Sequence, residues 1–282
     1  MPPQRSPMPR LLVLQSLWAM QRLSASEDPP VEAMVARVQA AGFDGVGLRC
    51  MERGFVAQVA PELQARGLAW QAQCLPRCAA EMAPLLDLAA EFGAVQVNVI
   101  ARLPPAPPSI QAAIIGGWIE DAAARGLPLL VETHRASATN TLDDTVALLD
   151  ALPGLRLTAD LSHPIVAHGA KLPLAPDVAA MLDRVIACAA SLHLRIGTSE
   201  QVQVAPGWPQ HAAWREAFAG WWRRILARRS GDAPMVVLVE LGPPPFAITN
   251  ADGGELSDRW ADALYLRDLI RTLWQLEQEI TA

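Results

Sequence analysis

Carboxylate and imidazole side chains end four short apolar runs in the second half of the chain. The runs read VETHR, LTADLSH, SLHLR and VVLVELG, and the ligand-type residues near their ends are Glu132, Asp160, His193 and Glu240. If these runs are neighbouring parallel strands, their carboxyl ends meet at one face, so the side chains converge. Three carboxylates and one imidazole form an oxygen-rich set that suits a divalent cation. The pattern therefore predicts a metal site, and with it an enzyme.

The elements that must position these residues form a repeat of strand and helix. Apolar runs alternate with helix-period segments. Three of the intervening helices stop at glycines, and the last helix is expected to begin near Ser257, as its cap, and to end near Glu279. The predicted strands span 11–18, 43–49, 68–74, 94–100, 127–133, 155–160, 189–195 and 235–241. Eight such units predict an α/β fold, a (β/α)8 TIM barrel with an eight-stranded parallel sheet, as one domain over residues 1–282.

Strand parity indicates which candidates face the interior of this barrel. Side chains two positions apart share a face, so His193 and Arg195 point the same way, as do Leu238 and Glu240. The same alternation turns Glu132 towards the interior. A carboxylate buried there without a cation would be strongly unfavourable, which supports the metal interpretation.

Charge and hydropathy exclude several classes of protein. The net charge of −6 and the pI of about 5.4 argue against a nucleic-acid partner held by phosphate contacts. No apolar run approaches the ~20 residues of a membrane span. The N-terminus imitates a signal peptide with Arg5, Arg10 and the run LLVLQSLWAM, but Gln15 interrupts that run and cleavage would remove the first strand. The four cysteines form no disulfide framework, so a cytoplasmic location is expected.

Taken together, the four segments resemble the xylose isomerase-like family of TIM-barrel sugar isomerases and epimerases, of the AP endonuclease 2-type superfamily. The resemblance rests on the Glu of VETHR, the D-x-x-H of ADLSH, the H-x-R of LHLR and the Glu of VELGPPPF. It implies that one divalent metal is bound by Glu132, Asp160, His193 and Glu240. It also implies that His163 and Arg195 contact the substrate.

The chemistry that follows is proton transfer next to a carbonyl group. Mn²⁺ is the expected ion, with Mg²⁺, Co²⁺ and Zn²⁺ as alternatives, and it would chelate a ketose or keto-polyol and stabilise an enediolate. Glu132 and Glu240 would flank the sugar, one removing a proton and the other returning it. His134 and Trp18 are further candidates for substrate binding, as a polar contact and a stacking ring respectively. A homodimer or homotetramer is expected from the resemblance.

Other readings of the same residues remain open. A metal-dependent lyase, such as a keto-polyol dehydratase, could use the same site, and a barrel could bind a carbohydrate without turning it over. The sequence also leaves open whether the sugar is phosphorylated, since four arginines near the predicted strand ends could hold a phosphate: Arg49, Arg102, Arg135 and Arg195. Trp208 is a second candidate for stacking, Gln71 and Asn98 are candidate pocket donors, and His168 and His211 are expected on the surface.

Overall fold

Eight parallel strands close into a barrel in which each strand pairs with the next along the chain and the last pairs with the first. The computed structural model describes residues 9–22, 28–229 and 233–281. The strands are β1 (Leu11–Ser16), β2 (Gly45–Arg49), β3 (Ala69–Cys74), β4 (Gln96–Val99), β5 (Leu129–Glu132), β6 (Leu157–Ala159), β7 (Ala189–Leu194) and β8 (Met235–Val239). All eight predicted strands are confirmed, and each is shorter at one or both ends than its apolar run. The predicted TIM barrel is therefore the observed fold.

Helices connect successive strands and cover the outside of the barrel. They are α1 (Val31–Ala40), α2 (Arg53–Ala65), α3 (Met82–Glu91), α4 (Pro108–Ala124), α5 (Leu142–Ala151), α6 (Ser162–Ala167), α7 (Pro176–Cys188), α8 (Ala212–Leu226) and α9 (Arg259–Thr281). After α1, α2 and α3 the chain turns at Gly42, Gly67 and Gly93, whose φ angles are 74°, 66° and 73°. Glycine adopts this left-handed conformation without the steric penalty of a side chain, which explains the predicted stops.

The start of the last helix differs from the prediction by two residues. The helix begins at Arg259, and the side chain of Asp258 accepts hydrogen bonds from the backbone N–H groups of Trp260 and Ala261, both at 3.0 Å. Asp258 rather than Ser257 therefore caps the first turn, because its carboxylate reaches the free N–H groups there.

The barrel interior changes from apolar to polar along the strand direction. A cluster of Leu12, Leu14, Val236 and Leu238 fills the lower interior. A Cβ atom on Gly47 would lie 2.6 Å from a methyl group of Leu238, so a larger residue there would require the Leu238 side chain to move. Polar residues occupy the same faces nearer the carboxyl ends of the strands, and they are Gln71, Gln73, Gln96, Asn98, Glu132, Ser191, His193 and Glu240. The apolar floor supports a polar upper layer, and that layer holds the candidate site.

Some predictions concern residues that the structure does not describe. Arg5 and part of the signal-like segment lie outside the described residues, as does part of the predicted domain of 1–282, so the extent of the domain stays a prediction. Within the described ranges, no helix is both long and apolar enough to cross a membrane.

Candidate active site

Three of the four predicted metal ligands meet in the upper barrel. Glu132, His193 and Glu240 each offer one ligand atom, and these atoms all lie within 4.8 Å of one another. Nδ1 of His193 is 3.4 Å from Oε2 of Glu132 and 3.1 Å from Oε2 of Glu240. All three side chains are buried, so the cluster could hold a cation away from bulk water.

Two buried carboxylate oxygen atoms at this site lack a hydrogen-bond donor, which indicates whether a cation suits the site. Oε1 of Glu132 and Oδ2 of Asp160 are buried and have no hydrogen-bond partner among the described residues. A buried carboxylate oxygen without a donor is unfavourable, and a hard divalent cation is the partner that carboxylate oxygens prefer. The donor set therefore fits a divalent metal, as the sequence predicts.

Asp160, the fourth predicted ligand, is not part of the three-residue cluster. It lies at the end of β6, where its Oδ1 accepts hydrogen bonds from the backbone N–H of Ser162 at 3.0 Å and from its hydroxyl at 2.6 Å. Its Oδ2 is 3.4 Å from Nη1 of Arg195, and Nη2 of Arg195 is 3.5 Å from Oε2 of Glu240. The Arg195 guanidinium therefore links Asp160 to the cluster.

The protonation of His193 is set by its two carboxylate neighbours. Burial, the strongest single influence, favours the neutral ring, but Glu132 and Glu240 together outweigh it and raise the pKa of His193 to about 10. Burial alone would also raise the pKa of Glu240. The charges of His193 and Arg195, with hydrogen bonds from His193 and Gln73, lower the pKa of Glu240 to about 2 instead. In the protein without metal, His193 is therefore an imidazolium ion between carboxylates.

Amide side chains from β3 and β4 hold the predicted ligands in place. Nε2 of Gln71 lies 2.9 Å from Nε2 of His193; because an imidazolium can only donate, a hydrogen bond here requires the Gln71 amide to present its oxygen. Gln73 Nε2 donates to Oε1 of Glu240 at 2.8 Å. Asn98 Nδ2 donates to Oε2 of Glu132. Gln71 and Asn98, predicted as pocket donors, therefore contact ligands of the site. Gln73 is not among the predicted site residues, although its spacing of two from Gln71 on β3 indicates that both side chains lie on the same face of the strand.

His163 accepts a hydrogen bond from Arg195 and keeps its own N–H without a partner among the described residues. Its Nε2 accepts from Nη1 of Arg195 at 3.1 Å, because a guanidinium can only donate. Burial, reinforced by the nearby side chains of His134 and Arg195, lowers the pKa of His163 well below its ordinary value, so the ring is neutral. The proton is then on Nδ1, which has no partner among the described residues.

A second group of possible ligands shares Glu132 with the first. It consists of Glu132, His134 and His163, and the rings of His134 and His163 lie 4.0 Å apart. His163 contributes poorly to a cation site here, because Arg195 occupies Nε2 and Nδ1 carries the proton. The group of Glu132, His193 and Glu240 is the stronger candidate.

A cavity of about 490 Å³ opens above the site. Trp18, His134, Arg195 and Glu240 line it, together with Phe246 from the loop after β8. Trp18 and Phe246 pack edge to face with centroids 5.2 Å apart. Four of the eight predicted site residues therefore border this cavity, and they are Trp18, His134, Arg195 and Glu240. Glu132 and His193 lie buried near it.

Close packing holds the aromatic wall of this cavity. A Cβ atom on Gly242 would lie 2.4 Å from the ring of Trp18 and 3.0 Å from Phe246, so only glycine fits between them. Phe246 belongs to the VELGPPPF segment, but nothing in the sequence indicated that it contacts Trp18 across the chain.

In the loop after β7, the expectation for His211 is wrong and the stacking candidate Trp208 lies away from the cavity. Trp208 does not line the 490 Å³ cavity and instead stacks on His211 with ring centroids 5.8 Å apart. His211, expected on the surface, is buried and its Nδ1 forms a hydrogen bond of 2.9 Å with the carbonyl of Ala205. A loop that folds back on itself supplies these contacts, which no periodic pattern signals. His168 is only partly exposed.

Metal binding is expected to release about one proton, because His193 must lose its proton to act as a ligand. Its pKa of about 10 keeps it protonated throughout the neutral range. The apparent affinity for Mn²⁺ should therefore rise about tenfold per pH unit as the pH increases through that range. Calorimetric titration with Mn²⁺ in two buffers of different ionisation enthalpy measures the protons released. Binding without proton release would contradict the assignment of His193.

Replacing Gln71 by leucine is expected to weaken Mn²⁺ binding about 10- to 100-fold, because it removes the group that orients His193. The same titration measures the affinity. The matched control is Gln64→Leu, which changes a glutamine on the outer helix α2 and should leave the affinity unchanged. Equal Mn²⁺ affinities in the two variants would contradict the inference that Gln71 orients His193.

Solved structures share this architecture over nearly the whole chain. An L-ribulose 3-epimerase is 15% identical and covers 96% of this chain and 97% of its own, with a TM-score of 0.65. A xylose isomerase-like TIM barrel protein from Mycobacterium smegmatis in complex with magnesium is 15% identical, with coverages of 94% and 98% and a TM-score of 0.62. A probable 3-DHS dehydratase involved in petrobactin synthesis, from Bacillus anthracis, is 14% identical, with coverages of 82% and 92% and a TM-score of 0.53.

These similarities establish the fold. The chain has the architecture of the xylose isomerase-like TIM barrels, so the resemblance found in the sequence is confirmed at the level of structure. No family model and no curated protein matches the sequence. The structural neighbours include an epimerase, a magnesium complex and a dehydratase, and at 14–15% identity they leave the reaction of this chain to its own residues.

Proposed function

We propose that this chain is a divalent-metal-dependent isomerase or epimerase of a sugar or keto-polyol. The observation that carries the proposal is the pair of buried glutamates, Glu132 and Glu240, that approach His193 within 3.4 Å and 3.1 Å near a 490 Å³ cavity. Two carboxylates and an imidazole beside unpaired buried oxygens suit both a cation and proton transfer.

Glu132, His193 and Glu240 would hold the metal, with Asp160 as the fourth ligand. A divalent cation there would supply Lewis-acid polarisation of a carbonyl and an adjacent hydroxyl, which acidifies the C–H between them. The expected ion remains Mn²⁺, with Mg²⁺, Co²⁺ or Zn²⁺ as alternatives. Arg195 lies beside two of the carboxylates, at 3.4 Å from Asp160 and 3.5 Å from Glu240, and would orient both.

The two glutamates would move the proton. One carboxylate removes it from the carbon beside the carbonyl, and the other returns a proton from the opposite face for epimerisation or to the neighbouring carbon for isomerisation. The low pKa of Glu240 keeps it ionised at neutral pH, which is the charge state that a general base needs. Nδ1–H of His163 has no partner among the described residues and would donate to a developing oxyanion.

The test is exchange of substrate hydrogen with solvent. The Mn²⁺-loaded protein is incubated with ketopentoses and ketohexoses in heavy water, and proton NMR follows loss of the signal beside the carbonyl and the appearance of an epimer or aldose. Exchange that depends on the metal supports the proposal. Carbohydrate binding without any exchange in the panel would favour the non-catalytic barrel.

A lyase is the second candidate, and the structural similarity to a probable dehydratase favours considering it. The same deprotonated carbon would then expel a β-hydroxyl as water instead of being reprotonated. A new enone or diketone absorbance during turnover would identify the lyase, whereas an epimer formed at constant absorbance would identify the isomerase or epimerase.

Assembly and location stay predictions. Trp221 and Trp222 of α8 are buried against the chain's own core, so they do not form an exposed aromatic surface for a homodimer or homotetramer. A carbohydrate is the proposed small-molecule partner. The cytoplasmic location and the absence of nucleic-acid and membrane partners rest on composition alone.

A further inference from the structure

Three arginines line the cavity that opens above the proposed ligands. Arg49 ends β2, Arg102 follows β4 and Arg135 follows β5, and all three side chains are exposed at the cavity. The proposed metal ligands come from β5, β6, β7 and β8. In a closed barrel, β2 and β4 lie across the mouth from β6 and β8. The cavity therefore has buried carboxylates at its base and a rim of exposed arginines.

The three guanidinium groups have no carboxylate partner among the described residues. Arg49 lies over the ring of Trp18 at 5.3 Å, and Arg135 lies over the ring of Phe246 at 4.8 Å. Aromatic faces hold a guanidinium without neutralising it and leave its N–H donors free. Arg195 also lies over the ring of Phe246, at 5.1 Å, so the Trp18–Phe246 pair carries three guanidinium groups on one wall of the cavity.

The arginines of the rim carry positive charge that the carboxylates of the inner site do not neutralise. In the inner site, the carboxylates of Glu132, Asp160 and Glu240 are balanced by one divalent cation and Arg195, once His193 is neutral. The single acidic residue that lines the cavity is Glu240, and the inner site already uses it. The positive charges of Arg49, Arg102 and Arg135 are therefore not neutralised by an acidic residue of the cavity, although the protein as a whole has a net charge of −6. A concave surface lined by uncompensated cations concentrates anions.

We propose that the cavity takes an anionic substrate, a keto-polyol that carries an oxyanion at the end remote from the metal. The oxyanion is a phosphate monoester or a carboxylate, since both accept the paired N–H groups of guanidinium. Arg49, Arg102 and Arg135 bind it, while the keto-diol end lies over Glu132 and Glu240. The placement of the keto-diol end rests on the proposed function, but the binding of the anion does not.

Three ketoses that differ only at carbon 6 test this inference, and they are D-fructose, D-fructose 6-phosphate and D-fructuronate. Calorimetric titrations use the protein with Mn²⁺ and the protein in EDTA. The variant is the triple change Arg49→Gln, Arg102→Gln and Arg135→Gln. The control is Arg228→Gln, an exposed arginine at the end of α8 that is remote from the cavity.

At least one charged ketose should bind about tenfold or more tightly than D-fructose, because a hydrogen bond to a charged group contributes about that much affinity. The triple variant should lose this preference and the control should keep it. Tighter binding of the phosphate or of the carboxylate identifies which oxyanion the rim prefers. Equal binding of all three ketoses, no binding of any, or an undiminished preference in the triple variant would overturn the inference.

The two metal conditions separate this inference from the proposed function. A charge preference that persists in EDTA, with no effect of Mn²⁺ on any ketose, supports the basic rim and counts against the metal-dependent reaction. Metal-dependent binding without a charge preference supports the reaction and overturns the anionic substrate.

Discussion

Replacing Glu240 by glutamine is expected to slow solvent exchange of substrate hydrogen by about 10²- to 10⁴-fold, the usual contribution of a general acid or base. Glutamine keeps the size of the side chain but can neither accept a proton nor balance His193 at 3.1 Å. The Glu132→Gln change should have a similar effect, because Glu132 lies 3.4 Å from the same nitrogen. Proton NMR in heavy water at saturating Mn²⁺ measures the exchange.

The control for these variants is Glu200→Gln, which changes an exposed glutamate in the loop after β7. Its exchange rate should equal that of the unchanged protein. Manganese content, measured in parallel, separates the two roles of a glutamate: retained metal with lost exchange assigns proton transfer, and loss of both assigns ligation. Exchange at the original rate in both glutamate variants would contradict the proposed mechanism.

The Arg195→Met change is expected to lower the free energy of unfolding by about 3–5 kcal/mol, because it leaves buried carboxylates without their cation. Arg195 is 1% exposed, its Nε donates to the carbonyl of Glu240 at 2.8 Å, and its ion pairs reach Asp160 and Glu240. Methionine fills part of the volume but restores none of these contacts. Urea unfolding in EDTA measures the effect without a contribution from bound metal.

An exposed ion pair provides the comparison. Arg184 and Asp150 form a salt bridge of 2.5 Å between outer helices, with side chains 46% and 63% exposed. Arg184→Met should therefore leave the free energy of unfolding nearly unchanged, because water and salt screen an exposed ion pair. If Arg195→Met were equally mild, Asp160 and Glu240 would not depend on the guanidinium, and the network described above would be wrong.

The fold could be predicted because its signals are periodic. Strands buried on both faces leave continuous apolar runs, and glycines such as Gly42 and Gly67 mark the turns between helix and strand. The ligand candidates could be predicted because a barrel gathers the ends of its strands at one face, which unites Glu132, His193 and Glu240 although they are far apart in the chain.

The remaining features depend on contacts between distant residues. Gln73 reaches Glu240 across 167 positions, and Trp18 meets Phe246 from the opposite end of the chain. The ion pairs through which Arg195 connects Asp160 to Glu240 depend on side-chain packing, which strand order does not determine. The rim arginines were visible in the sequence as a possible phosphate site, but only the structure places three of them in one cavity without acidic partners.

Elemental analysis of the purified protein tests the metal site most directly. After reloading with Mn²⁺ and gel filtration, the unchanged protein should hold about one equivalent of divalent metal, and the Asp160→Ala, Glu240→Ala double variant should hold almost none. A second double variant, Glu91→Ala with Asp150→Ala, removes two exposed carboxylates and should keep the metal. No metal in the unchanged protein, or equal metal in all three proteins, would contradict a cation site built from Glu132, Asp160, His193 and Glu240.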